Sequence, residues 1–190
     1  MTRNKSCCIA LFLLLFLAAT YSVEPINRVL TQEKLDRFLN DLEAIMKNQE
    51  MTTAWNECYE QASFDELMDP NSSLLLDDTL TAVMTIMIKT SQKAKLNVAA
   101  TNTLKKYKWT TEFWDIYVAV MIGVHYKTVI DGNEEIDQQN GPDNTVSSIS
   151  GLPAIERFIN KNDYDLVVLN YSKIQGKIDD EIARNNGYDN

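Results

Sequence analysis

WTTEFWDIYVAVMIGVHYKTVI, residues Trp109 to Ile130, is the most apolar clearly delimited stretch downstream of the amino-terminal run. Phe113, Tyr117, Val120, Met121, Val124 and Thr128 recur at the three-or-four spacing of one helical face. Trp114, Val118, Ile122 and Val129 widen that face past half the circumference, and a helix apolar on most sides belongs in the middle of a fold. Thr110 is placed to accept an orphan amide at the start. Glu112 and Asp115 lie in the first turns, where the macrodipole favours anions, and Lys127 lies in the last. Asp131-Gly132 then stops the helix, because Gly132 can take the left-handed conformation common just past a helix end. The spacing predicts a central helix over 111–130.

Upstream, Thr31 can cap a helix in which Leu35, Phe38, Leu39, Leu42, Ile45 and Met46 form one stripe. Residues 52–68 repeat the pattern weakly through Trp55, Tyr59, Ala62 and Leu67, and Pro70 with Asn71-Ser72-Ser73 ends them. Leu76, Leu80, Val83, Met84, Met87 and Ile88 predict a helix over about 75–94, and Val98 to Tyr107 a short one. Downstream, residues 131–151 read as a long polar loop. Pro153 suits the first turn of a helix through Ile155, Phe158 and Ile159, and Asp163 can cap a last helix carrying Val167, Tyr171, Ile174, Ile178 and Ile182. No segment alternates apolar and polar residues as a strand does. The expected fold is all-α: a single-domain bundle of about seven helices around the helix at 111–130.

Arg3 and Lys5 precede the run Ile9 to Ala19, and small residues follow, the three zones of a secretory signal peptide. Cleavage is expected after Ser22, leaving a leader coil at 23–30, the helical domain at 31–186 and a tail at 187–190. An uncleaved anchor would need a longer run than this. A lipoprotein signal needs a cysteine at the end of the run, whereas Cys7 and Cys8 sit before it. Removing residues 1–22 takes away two cations and no acid, so the formal charge moves from −9 to −11. That balance argues against nucleic acid and anionic membrane as partners. The lysines between Lys89 and Lys108 read as a solvated helix face. Of three cysteines only Cys58 remains after cleavage, which allows no internal disulfide and leaves stability to the core. A small secreted domain without disulfides favours a bacterial envelope or periplasm. Apart from the signal, the longest uncharged apolar run, Ile116 to Tyr126, is shorter than a membrane span, so no transmembrane helix is expected in the mature chain.

Few residues suggest chemistry. His125 is the one histidine, so a triad or a histidine zinc site lacks its parts, and a structural role is the simpler reading. Cys58 has acidic neighbours that would hold a thiol protonated. Asp131, Asn133, Glu135 and Asp137 alternate as early calcium-loop ligands do, but Ile136 and Pro142 stand where that loop requires glycine and glutamate. These four are candidate metal ligands of a non-EF kind, against the simpler reading of a solvated acidic loop. Trp109, Trp114 and Tyr117 are candidate ligand-lining aromatics, although their helical spacing suits core packing. Glu112 and Asp115, one turn apart beside Trp109 and Trp114, are the candidate catalytic carboxylates.

Lys105 to Tyr117, KKYKWTTEFWDIY, together with LTQEKLDRFL at 30–39, resembles a loose group of uncharacterised exported bacterial helical proteins. The resemblance implies export and an all-helical fold, and brings no activity, cofactor or site residue. The functional expectation is a secreted or periplasmic acidic protein that binds a protein or an apolar ligand without catalysis and without a cofactor. The alternative is a carboxylate-dependent hydrolase, such as a glycan-acting enzyme, working through Glu112 and Asp115.

Overall fold

The central helix is present and longer than its apolar part requires. In the computed structural model, which describes residues 24–69, 79–140 and 153–185, seven α-helices are seen and no strand among the described residues. They are α1 (Gln32–Met46), α2 (Gln49–Met68), α3 (Thr79–Leu96), α4 (Val98–Lys106), α5 (Glu112–Asn140), α6 (Lys161–Leu169) and α7 (Tyr171–Asn185), with one 3-10 turn at Ile155–Arg157. The chain is an all-α bundle.

Along α5, Phe113, Trp114, Ile116, Val118, Ala119, Val120, Ile122 and Val124 are all buried, because α1, α3, α6 and α7 pack around it. Thr110 Oγ1 accepts the Glu112 amide at 3.3 Å, as the sequence suggests. The helix does not stop at Gly132. Glycine costs only about 1 kcal/mol in a helix interior, too little to break a helix whose first turns are locked in the core. Glu134, Glu135, Gln138 and Gln139 then continue it with good helix formers, and the Lys127–Asp131 ion pair joins successive turns. The loop expected at 131–151 is therefore helical to Asn140; its remainder lies outside the described residues. With flanking turns included, Glu112–Gly132 is long and apolar enough to cross a membrane by length and composition, which the shorter run Ile116 to Tyr126 understates. Of its most apolar window, 56% is buried inside the fold, and core helices of soluble proteins pass the same test.

Thr31 caps α1 by accepting the Lys34 amide, and the stripe Leu35, Phe38, Leu39, Ile45 is buried. Three further caps are asparagines: Asn48 on α2, Asn97 on α4 and Asn160 on α6. The helix expected to start at Asp163 is two helices that meet at Asn170, and the segment after Pro153 makes one 3-10 turn rather than a helix. Asp163 caps neither. It is fully buried, and its carboxylate accepts the amides of Val29 and Leu30 at 2.8 and 3.0 Å. The leader is thus pinned rather than loose, and a single parallel bridge between Ile26 and Ile159 adds a second fastening.

α2 departs most from its expected face. The spacing of Trp55, Tyr59, Ala62 and Leu67 predicts the buried side, but the chain buries Met51, Ala54, Cys58, Ala62 and Glu66, while Tyr59 and Leu67 are exposed. α2 and α3 run antiparallel, so closely that small side chains are needed between them. On α3, Met84 and Ile88 are buried as expected, Val83 is exposed, and Leu76 falls outside the described residues.

Candidate functional site

The aromatics gather into one cluster between α1, α2 and α5. Trp55 stacks on Trp114 with centroids 4.8 Å apart, Tyr117 stands edge-on to Trp55 at 4.9 Å, and Phe113 contacts Phe38 at 5.4 Å. Trp114 is fully buried, and its indole N–H has no acceptor among the described residues. Burial pushes the Tyr117 phenol above its ordinary range. Trp109 is buried too: its Nε1 donates to Asp41 at 2.9 Å and the Arg37 guanidinium lies 4.0 Å over its ring.

The two candidate carboxylates do not converge. Glu112 reaches α1, where Lys34 Nζ lies 2.5 Å away, and Asp115 reaches α3, where Lys95 Nζ lies 2.5 Å away. They therefore tie the core helix to two different neighbours. Asp131 pairs with Lys127, and residues 131–137 are helical. The side chains of Asn133, Glu135 and Asp137 lie outside the described residues. No group of three or more candidate ligands occurs among the described residues. His125 is exposed. Cys58 is buried, and burial together with Glu57 raises its thiol above the ordinary range, which leaves it a poor nucleophile. The lysine run is largely answered within the fold, by Glu66, Asp65, Asp115 and Glu50.

No family model, no curated protein and no solved structure matches the chain. Function therefore has to rest on the side chains themselves.

Of the large hydrophobes left exposed among the described residues, Tyr59, Phe64, Leu67 and Met68 lie on α2, and Val83, Leu96, Val98 and Leu169 lie on α3, α4 and α6. The outward side of α2 carries Phe64, Leu67 and Met68, which are 61%, 62% and 65% exposed and spaced as one helical face. Two grooves border this helix, one near each end, lined mainly by polar and charged residues. One, of about 390 Å³, is lined by Asp65, Asp69, Lys89, Gln92, Lys93 and Leu96. The other, of about 360 Å³, includes Glu50, Thr53, Glu57 and Asn97. Beneath the first lies Glu66, 2% exposed and 2.5 Å from Lys89 Nζ. Of Phe64, Leu67, Met68 and Glu66, only Leu67 belongs to the stripe Trp55, Tyr59, Ala62 and Leu67. The signal was the second stripe in the same helix, at 64, 67 and 68, offset from Met51, Ala54, Cys58 and Ala62.

Proposed function

We propose that this chain is a non-catalytic interaction protein that works outside the cytoplasm, with its signal removed near Ser22. The observation that supports this reading is the outward apolar side of α2. α2 sends Met51 and Trp55 into the core yet turns Phe64, Leu67 and Met68 at its other end to solvent, so three large hydrophobes are left for something other than the core. The residues with hydrolytic potential are engaged differently: Glu112 and Asp115 hold lysines of separate helices, and Trp109 and Trp114 are packed inside.

A thermal-shift screen against glycans, lipids and divalent cations, run beside chemical crosslinking of the purified exported protein in its native medium, tests the reading. One reproducible crosslinked protein partner and an unmoved melt are expected. A ligand at 100 times its Kd stabilises by about 2.7 kcal/mol, easily read as a shift. A stabilising glycan that is turned over, with both effects lost in Glu112→Gln, would overturn it in favour of the hydrolase.

A further inference from the structure

We propose that the outward face of α2 receives a basic amphipathic helix from a partner protein. This rests on the interaction reading above and names the surface and the chemistry of the occupant. Along the solvent side of α2, Glu57 and Glu60 precede Phe64, Leu67 and Met68 at helical spacing, so carboxylates and large apolar side chains share one exposed strip. From Glu57 to Met68 the strip is about 16 Å long at 1.5 Å per residue, the length of three turns of a docked helix.

Most described helix acids outside this strip are paired with a lysine or arginine. α2 has twenty residues and no Lys or Arg among them. Glu43 on α1 pairs with the cap residue Lys47 and Asp165 on α6 with Lys161 of the same helix, and Glu50 and Asp65 are answered from α4 and α3. Glu57 and Glu60 have no ion pair among the described residues. An acidic strip with an apolar end is complementary to a helix carrying Lys or Arg along its rim and two or three large apolar anchors. Met68 and Phe64 add a soft and an aromatic contact, both adaptable to such anchors. A second copy of this chain is disfavoured as occupant, since a two-fold contact centred on the strip would set the carboxylates of each copy against the other's carboxylates or its apolar end and supply no cation to either. An anionic lipid surface is disfavoured for the same reason.

The test uses a fluorescent fourteen-residue peptide of Lys and Leu at helical spacing, with two controls: Glu in place of Lys, and Ser in place of Leu. Anisotropy titration against the purified protein is expected to show saturable binding of the Lys/Leu peptide alone. Phe64→Ser with Leu67→Ser should weaken it by about tenfold or more, as loss of central anchors does. Glu57→Gln with Glu60→Gln should weaken it severalfold and flatten its dependence on salt. Because all four positions are exposed, the melt should be unchanged in both variants, and the charge pair tests the site without touching its apolar part. Binding insensitive to both variants would overturn the proposal, as would equal binding of the Lys/Ser peptide, preferential binding to phosphatidylglycerol vesicles, or concentration-dependent self-association lost in the Phe64/Leu67 variant. A native partner that crosslinks elsewhere and ignores both variants sinks this surface while leaving the interaction reading intact. The glycan result described above sinks that reading instead.

Discussion

Glu66, nearly inaccessible on α2, sits 2.5 Å from the ammonium of Lys89 on α3, and this pair closes the floor of the groove between the two helices. An ion pair in such a place is held by mutual need, since either charge left alone would be buried without a counterion. Lys89 keeps part of its surface in water, which softens the penalty. Glu66→Ala is expected to destabilise by about 2–4 kcal/mol, below the extreme for fully buried pairs. Glu66→Met with Lys89→Met should recover most of that loss. Urea unfolding of the two variants checks it, and a double variant no better than the single one would show that the carboxylate has some other structural task.

Lys108 is the one non-glycine residue among the described residues with positive φ, at 59°. It occupies the position after the last cap of α4, where Trp109 N donates to Leu104 O at 2.9 Å and Lys108 N to Lys105 O at 3.0 Å. That pair of bonds is the Schellman closure, which calls for glycine at this position. Arg37 secures the corner from α1 by donating to Lys108 O at 2.7 Å. Lys108→Gly should raise stability by about 1 kcal/mol by relieving the left-handed conformation. Lys108→Val should lower it. A melt in which glycine is worse than lysine would mean that the side chain, not the backbone, matters here.

Much of the architecture could be read in advance where large apolar residues recur at helical spacing: Leu35 to Met46 and Phe113 to Val124 lie where their stripes put them. The failures share a cause. A buried face built from Ala54, Cys58, Ala62 and Glu66 has almost no hydrophobic contrast, because close helix approach selects for size rather than apolarity. Asp163 looks like a cap by residue type, yet its partners lie more than 130 residues upstream, where no local pattern can point. The candidate carboxylates Glu112 and Asp115 lie in the first turn of the central helix, but their lysine partners come from α1 and α3 and are set by tertiary packing.

Three helical glycines give a direct check on α5 and its neighbours. A Cβ on Gly123 would lie 2.9 Å from Cγ1 of the buried Val167, whereas Cβ atoms on Gly132 and Gly176 would meet nothing within 4 Å. Gly132→Ala and Gly176→Ala should each stabilise by about 0.5–1 kcal/mol, the ordinary gain from replacing glycine inside a helix. Gly123→Ala should destabilise despite the same propensity gain, because overpacking costs about 1–3 kcal/mol where the neighbour is stiff. Pairing it with Val167→Ala should relieve the clash. If Gly132→Ala proved destabilising, the helix would end there in a left-handed turn after all.

Asp163 makes the protein's response to acid depend on the pinned leader. Burial raises its carboxyl above the ordinary aspartate range, against the opposing pull of the Val29 and Leu30 amides and of Arg28 and Lys34. A folded pKa above the unfolded one means that the fold binds this proton more tightly than the unfolded chain does. The contribution of Asp163 is then fully present below the unfolded aspartate value and is lost as pH rises through the folded one. Asp163→Asn removes the titration and leaves one leader amide without its acceptor, for a loss of about 1–3 kcal/mol at neutral pH. Since only the parent gains from protonation, the stability gap between parent and variant should widen as pH falls from 7 toward 4. Urea unfolding of both proteins at matched pH values isolates this from the titration of the shared carboxylates. A gap that narrows on acidification would mean that the two leader amides outweigh burial and that the carboxylate is held ionised.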